Sequence, residues 1–152
     1  MLISDVINTL KDIALSHKDI ESFDMGDQYL IEGNIEHQYP KFFLETPFNI
    51  VWATGDVPAY FVMSFAFYVL MNKKEDDTED QIQGVSDSAL ITEQILTKIN
   101  HEVSDFSIEL ANSLTYNDTT NEGLSTTRTD LTLRVLRNVC ESDATLAEIF
   151  TK

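Results

Sequence analysis

The stretch from Ala59 to Met71 alternates like a β-strand, yet it is apolar on both sides. Phe61, Met63, Phe65, Phe67, Val69 and Met71 fall on one face of the extended chain. Tyr60, Val62, Ser64, Ala66, Tyr68 and Leu70 fall on the other. One face must be core, and the other needs cover from a helix or a neighbouring chain. At thirteen residues it is also long against a usual strand of roughly 5–6 residues. It is therefore expected to cross a wide sheet or to extend past the sheet body as a hairpin arm.

The remaining pattern places other elements around it. Ile3, Val6, Ile7, Leu10, Ile13 and Ala14 recur at helical spacing, with Ser4 as an N-cap and His17-Lys18 near the C-terminal dipole. Ile20 to Asp27 reads as irregular with a turn or bulge at Gly26, Tyr29–Ile31 as a short strand, and Gly33-Asn34 as a turn. Tyr39 to Glu45 is β-rich, and Pro40, which lacks a ladder donor, marks a strand start or a sheet edge. Phe48 to Trp52 is a short apolar piece between breakers. Asn72 to Val85 reads as a polar break, followed by a helix from Asp87 to about Glu102 capped by Ser86. Phe106, Ile108 and Leu110 alternate as a strand, and Asn112 to Gly123, rich in Asn, Thr and Asp, reads as a loop. Leu124 to Val139 is a second long strand, with Leu131, Leu133, Val135 and Val139 on one side and Arg128, Asp130, Thr132 and Arg134 on the other. Ser142 is a candidate cap for a terminal helical turn. Consecutive strands with short breaks favour an α+β domain: a mainly antiparallel sheet with two helices on one face. Residues 1–140 are expected to form that single domain, with 141–152 as a C-terminal extension.

Charge narrows the function classes. Ten Lys and Arg against twenty-six Asp and Glu give a formal charge of −16. This opposes phosphate-led nucleic-acid binding and a polybasic membrane anchor alike. The start MLISDVINTLKDI lacks a basic segment followed by an apolar block, so no signal peptide is expected. The longest apolar run, Val57 to Met71, alternates and is too short to span a bilayer as a helix.

The chemistry-bearing residues form no familiar constellation. His17, His37 and His101 are not at metal-ligand spacing and read as surface or helix-end residues. Cys140, the single cysteine, has no neighbouring base and reads as structural. The run Glu75-Asp76-Asp77-Thr78-Glu79-Asp80 lacks the alternation, central Gly and closing Glu of an EF-hand and reads as solvated charge. Phosphate-loop, nucleophile-elbow and zinc-protease motifs are missing. Neither a catalytic site nor a cofactor is expected. Two features remain. The aromatic long strand is one. The other is the gathering of all three arginines, Arg128, Arg134 and Arg137, in the last long strand. They serve either as a solubilised strand face or as a surface complementary to another acidic subunit. For the second role the carboxylates of Glu75, Asp76, Asp77, Glu79 and Asp80 on an adjacent copy are the preferred partners.

The layout resembles that of the tail-terminator and tail-completion proteins that form neck rings in tailed bacteriophages, and is similar to short virion proteins of crAss-like phages. The matching parts are the N-terminal helix running into HKDIESFDMGD at 17–27, QYPKFFLE at 38–45, then a long amphipathic strand, a charged break, a second helix and a closing strand pair. The resemblance implies a non-enzymatic virion protein of the neck or tail, assembled in the host cytoplasm as a homo-oligomeric ring of six or twelve copies. Such a ring joins the head portal to the tail, with strands or hairpins reaching neighbours and DNA passing through its channel without specific binding. The alternative is an acidic DNA mimic that inhibits a nucleic-acid-binding protein; it should carry carboxylates in a regular array on one surface.

Overall fold

The computed structural model describes residues 2–27, 38–53, 59–72, 78–117, 124–137, 148 and 150. Eight elements follow one another: α1 (Ile3–Ser16), β1 (Ser22–Gly26), β2 (Lys41–Glu45), β3 (Asn49–Trp52), β4 (Tyr60–Asn72), α2 (Thr78–Glu102), β5 (Phe106–Asn117) and β6 (Leu124–Leu136). The long alternating stretch is β4, and it lies inside the sheet. All thirteen of its residues pair antiparallel with β6, from Tyr60 opposite Leu136 to Asn72 opposite Leu124.

The sheet order is β1-β2-β4-β6-β5, and β3 lies beside β2 on the same flank of β4. Leu44 sits opposite Phe67 and Asn49 opposite Ser64. Five steps along the outer chain thus match three along β4, and Thr46 to Phe48 bulge out of the ladder. An even offset keeps each side chain on its original face. The sheet is mixed, because β1 and β2 run parallel while the other neighbours are antiparallel. Residues 27–40 separate those two strands, enough chain for the long crossover that parallel neighbours need.

Both helices pack on the face that carries the odd-numbered residues of β4. Val6, Leu10, Ile13 and Ala14 of α1 and Ile91, Ile95 and Ile99 of α2 join Phe61, Met63, Phe65, Phe67, Val69, Leu131, Leu133 and Val135 in one buried cluster. Phe42 stacks on Phe67 with ring centroids 4.8 Å apart. Further along β6 the interface turns polar: Ser88 and Thr127, both fully buried, share a hydrogen bond of 2.8 Å. Gly84, Ser88 and Thr92 recur every fourth residue and are buried, which lets α2 approach the sheet closely where β6 offers Ser125, Thr127 and Thr129.

Several boundaries differ from the sequence reading, each for a local reason. Ser4 lies inside α1; the start is closed instead by Asp5 Oδ2, which accepts the Leu2 N–H at 2.7 Å. Ser22–Gly26 is strand β1 because the Lys41–Glu45 edge offers it a ladder. β2 starts directly after Pro40, but it is an interior strand, flanked by β1 and β4. Helix α2 begins at Thr78, well before Ser86, and Glu79 and Asp80 sit in its first turn, where the helix dipole favours carboxylates. β5 continues through the Asn/Ser/Thr segment to Asn117, since pairing with β6 supplies what its composition lacks. Tyr29–Ile31, Gly33-Asn34 and Ser142 fall outside the described residues, as does the 141–152 extension apart from 148 and 150.

Replacing Phe65, buried in this cluster, by Ala should lower unfolding free energy by about 3–5 kcal/mol, read from denaturant curves. A midpoint unchanged from the parent would place the core elsewhere.

Candidate functional site

The second face of the sheet is built from the even-numbered residues of β4 and β6. The helices contribute nothing to its buried cluster, which consists of Phe43, Ala66, Tyr68, Leu70 and Leu124 with Tyr39 against it. Arg128 and Arg134 both project from this face, as their even spacing requires. Between and around them, Val51, Leu110, Leu114 and Leu136 are exposed.

Each arginine is seated on an aromatic ring of the same chain. Arg128 Cζ lies 5.8 Å from the Tyr68 ring, Arg134 Cζ 4.4 Å from Tyr60, and Arg137 Cζ 5.2 Å from Trp52. Tyr68 is the direct cross-strand neighbour of Arg128, and Tyr60 is diagonal to Arg134. For Arg128 and Arg134 the antiparallel register of β4 and β6 is therefore what brings ring and cation together, whereas Arg137 reaches Trp52 of β3.

Arg128 is the centre of a polar chain. Its Nε–H donates to Tyr68 Oη at 3.1 Å, and the phenol in turn donates to Glu45 Oε2, also at 3.1 Å. Its Nη1 donates to Asp130 Oδ2 at 2.8 Å, while Nη2 stands 3.8 Å from Glu45 Oε2. Burial pushes the Tyr68 phenol above its ordinary pKa; hydrogen bonding from Arg128 pulls the other way and is outweighed. Burial also works against the charged Arg128, but its contacts with Tyr68 and Asp130 prevail and leave it more basic than usual. Beside this chain lies an open hollow of about 360 Å³, whose lining includes Pro47, Ser64, Leu110 and Thr132 as well as Glu45, Arg128 and Asp130.

Arg134 Nε donates to Glu109 Oε1 at 2.7 Å. Glu109 is the residue at which the β5–β6 register shifts. The β5–β6 register, with Ser107 directly opposite Arg134, puts this carboxylate within the arginine's reach, and sequence spacing alone offered no sign of it. Lys41 is another residue the sequence reading passed over: it is buried, with Nζ 2.6 Å from Asp24 Oδ2 across the parallel pair.

The expected acidic counterpart is only partly described. Glu75, Asp76 and Asp77 lie outside the described residues, and Glu79 and Asp80 belong to α2. No ion pair between them and the arginines is seen among the described residues. His17 accepts the Asp19 N–H at Nδ1, 3.1 Å away, and its Nε2 lies 2.7 Å from Gln94 Oε1, so it ties the end of α1 to α2. His101 is exposed in the last turn of α2. His37 and Cys140 are outside the described residues. Among the described residues no group of three or more His, Cys, Asp or Glu is placed to hold a metal ion, and no helix is long and apolar enough to cross a membrane.

The raised Tyr68 pKa has a consequence for stability. The folded chain holds this proton more tightly than the unfolded one. Its contribution is thus fully present below the ordinary tyrosine pKa and is lost as pH climbs through the higher folded value. Thermal melts should show stability falling above pH ~10, and Tyr68→Phe should reduce that fall. Arg128→Gln should raise the phenol pKa further, as followed by tyrosinate absorbance. A Tyr68 titration unchanged or lowered in that variant would disprove the coupling.

No protein-family model matches the chain, and no curated protein matches it.

Proposed function

We propose that this chain is a structural subunit of a neck or tail ring in a tailed bacteriophage, standing between the head portal and the tail around the DNA channel. The observation that carries this reading is the character of the second sheet face. It has no helix over it among the described residues, and it mixes exposed Val51, Leu110, Leu114 and Leu136 with two seated arginines. A face of that kind is suited to packing against another subunit. The fold class agrees with the resemblance in layout, which itself supplies the virion setting. The strong negative charge suits a channel that must pass DNA without retaining it, because phosphates are repelled at short range.

In a cyclic ring each boundary joins two different patches. Arg128 and Arg134 remain the proposed cationic side, and the acidic start of α2 with the residues before it the other. The intrachain pairs do not consume the arginines: Arg134 keeps about half of its side chain in solvent, and a guanidinium has donors to spare.

Electron microscopy of the purified chain, alone and mixed with phage lysate components that assemble heads, should reveal closed rings with a central opening. Particles of the phage encoding the chain should carry it at the head–tail junction, visible by antibody labelling. The double variant Arg128→Gln with Arg134→Gln should still fold, with a stability loss of about 1–2 kcal/mol from exposed pairs, yet fail to enter rings or particles. Absence of the chain from purified particles would overturn the virion assignment. Capture of a DNA-binding protein with displacement of its DNA would favour the DNA mimic instead.

A further inference from the structure

Strand β5 ends the sheet, and among the described residues nothing pairs with its outer side. From Glu109 to Thr115 it is exposed on both faces. Natural edge strands usually carry lysines, prolines, charged side chains or bulges that block pairing with another chain. β5 has neither lysine nor proline. Its single charged residue, Glu109, is the bulge residue at one end and is bound to Arg134. The stretch Leu110 to Asn117 is thus regular and uncharged, in a chain of formal charge −16.

We propose that this edge pairs with β5 of a second copy, antiparallel, about a two-fold axis through Asn112. Three observations select that occupant. Copies this acidic repel wherever carboxylates meet, so a neutral strip is the surface on which they approach at least cost. Arg134 of β6, the strand directly behind this strip, is bound to Glu109 and so balances the one charged residue of β5. Finally, Leu110 and Leu114 are 62% and 65% exposed and share one face of the strand. Pairing symmetric about Asn112 sets Leu110 of each copy opposite Leu114 of the other, and so covers both leucines twice over. Registers displaced by one residue would put side chains on the wrong face. A displacement by two separates the leucines from one another.

Such a contact is isologous, with the same patch on both partners. It differs from the head-to-tail boundary of a ring and stands without it: ring closure needs the arginines, while the pair needs only β5, whose Leu110 and Leu114 border the arginine-bearing face.

Two experiments address this register. In chains carrying Cys140→Ser, Asn112→Cys should form a disulfide-linked dimer under mild oxidation. Facing residues in an antiparallel pair have Cα atoms ~4.5–5.5 Å apart, within disulfide reach. Leu114→Cys should remain uncross-linked, since its symmetry mate lies four residues further along the ladder. Sedimentation equilibrium supplies the second readout, with circular dichroism confirming folding. Leu110→Lys with Leu114→Lys places like charges opposite one another at two positions and should weaken association at least ~10-fold. Leu110→Glu with Leu114→Lys creates two opposite-charge pairs in this register alone and should restore it, with a dependence on salt. A parent chain that remains monomeric to ~100 µM would overturn the proposal. So would equal cross-linking of both cysteine variants, or equal weakening by both charge variants.

Discussion

The uninterrupted pairing of β4 with β6 is the constraint on which the other features depend. Thirteen consecutive residue pairs hold the two longest strands in one register, and that register assigns every side chain on both strands to a face. The odd-numbered residues meet the helices and form the main cluster. The even-numbered residues set Tyr68 beside Arg128 and bring Arg134 within reach of Tyr60. A slip of one residue would either turn the phenylalanines of β4 outward or bury the arginines of β6, so the cost of misregister is large. Arginine seating on the open face is in this sense a by-product of hydrophobic packing on the closed one.

The same register explains why the two faces differ so much in character. Two helices can cover one side of six strands only in part. α2 lies over β4, β6 and the beginning of β5, while the distal half of β5 is left bare. Where α2 meets β6 beyond its apolar contacts, Ser88 and Thr127 satisfy each other, so the polar composition of the 125–129 segment does not disrupt the interface. The open face has its own small cluster around Phe43 and Tyr68 and a polar chain through Arg128 at its margin. Burial of the phenol and the neighbouring Glu45 carboxylate raise the Tyr68 pKa and give that margin its electrostatic character.

The parts of this arrangement that sequence revealed are those governed by strict alternation or helical period. The faces of β4, the inward set Leu131, Leu133 and Val135, and the stripe of α1 could be read directly, because burial imposes its period on residue type. β1, the early turns of α2 and the distal half of β5 could not. In each, the local composition is polar or mixed; the two strands exist because a partner supplies hydrogen bonds, β2 for β1 and β6 for β5, whereas the early turns of α2 make their own. The gathering of arginines on one strand was visible, whereas their partners were not. Tyr68 and Tyr60 were assigned to the correct face, yet only the pairing register joins them to Arg128 and Arg134. Glu109 becomes a partner of Arg134 only once Ser107 is known to lie opposite that arginine.

That distinction bears on how the two proposed contacts could coexist. The arginine-bearing face lies parallel to the sheet, and the β5 edge lies in its plane, so one subunit can offer both at once. The face is charged and aromatic, which favours contacts that fix orientation and respond to salt. The edge is neutral, and among the described residues no strand pairs with its outer side, which favours strand addition. Closing a ring through the face uses two unlike patches per copy, while the edge is its own complement. A subunit with both kinds of contact joins like assemblies back to back without altering the ring. Glu109 stands where the two surfaces meet. Its carboxylate holds Arg134 on the face, and its bulge ends the regular stretch of the edge. The residue therefore limits both surfaces, and keeps the pairing segment of β5 to the uncharged side of that point.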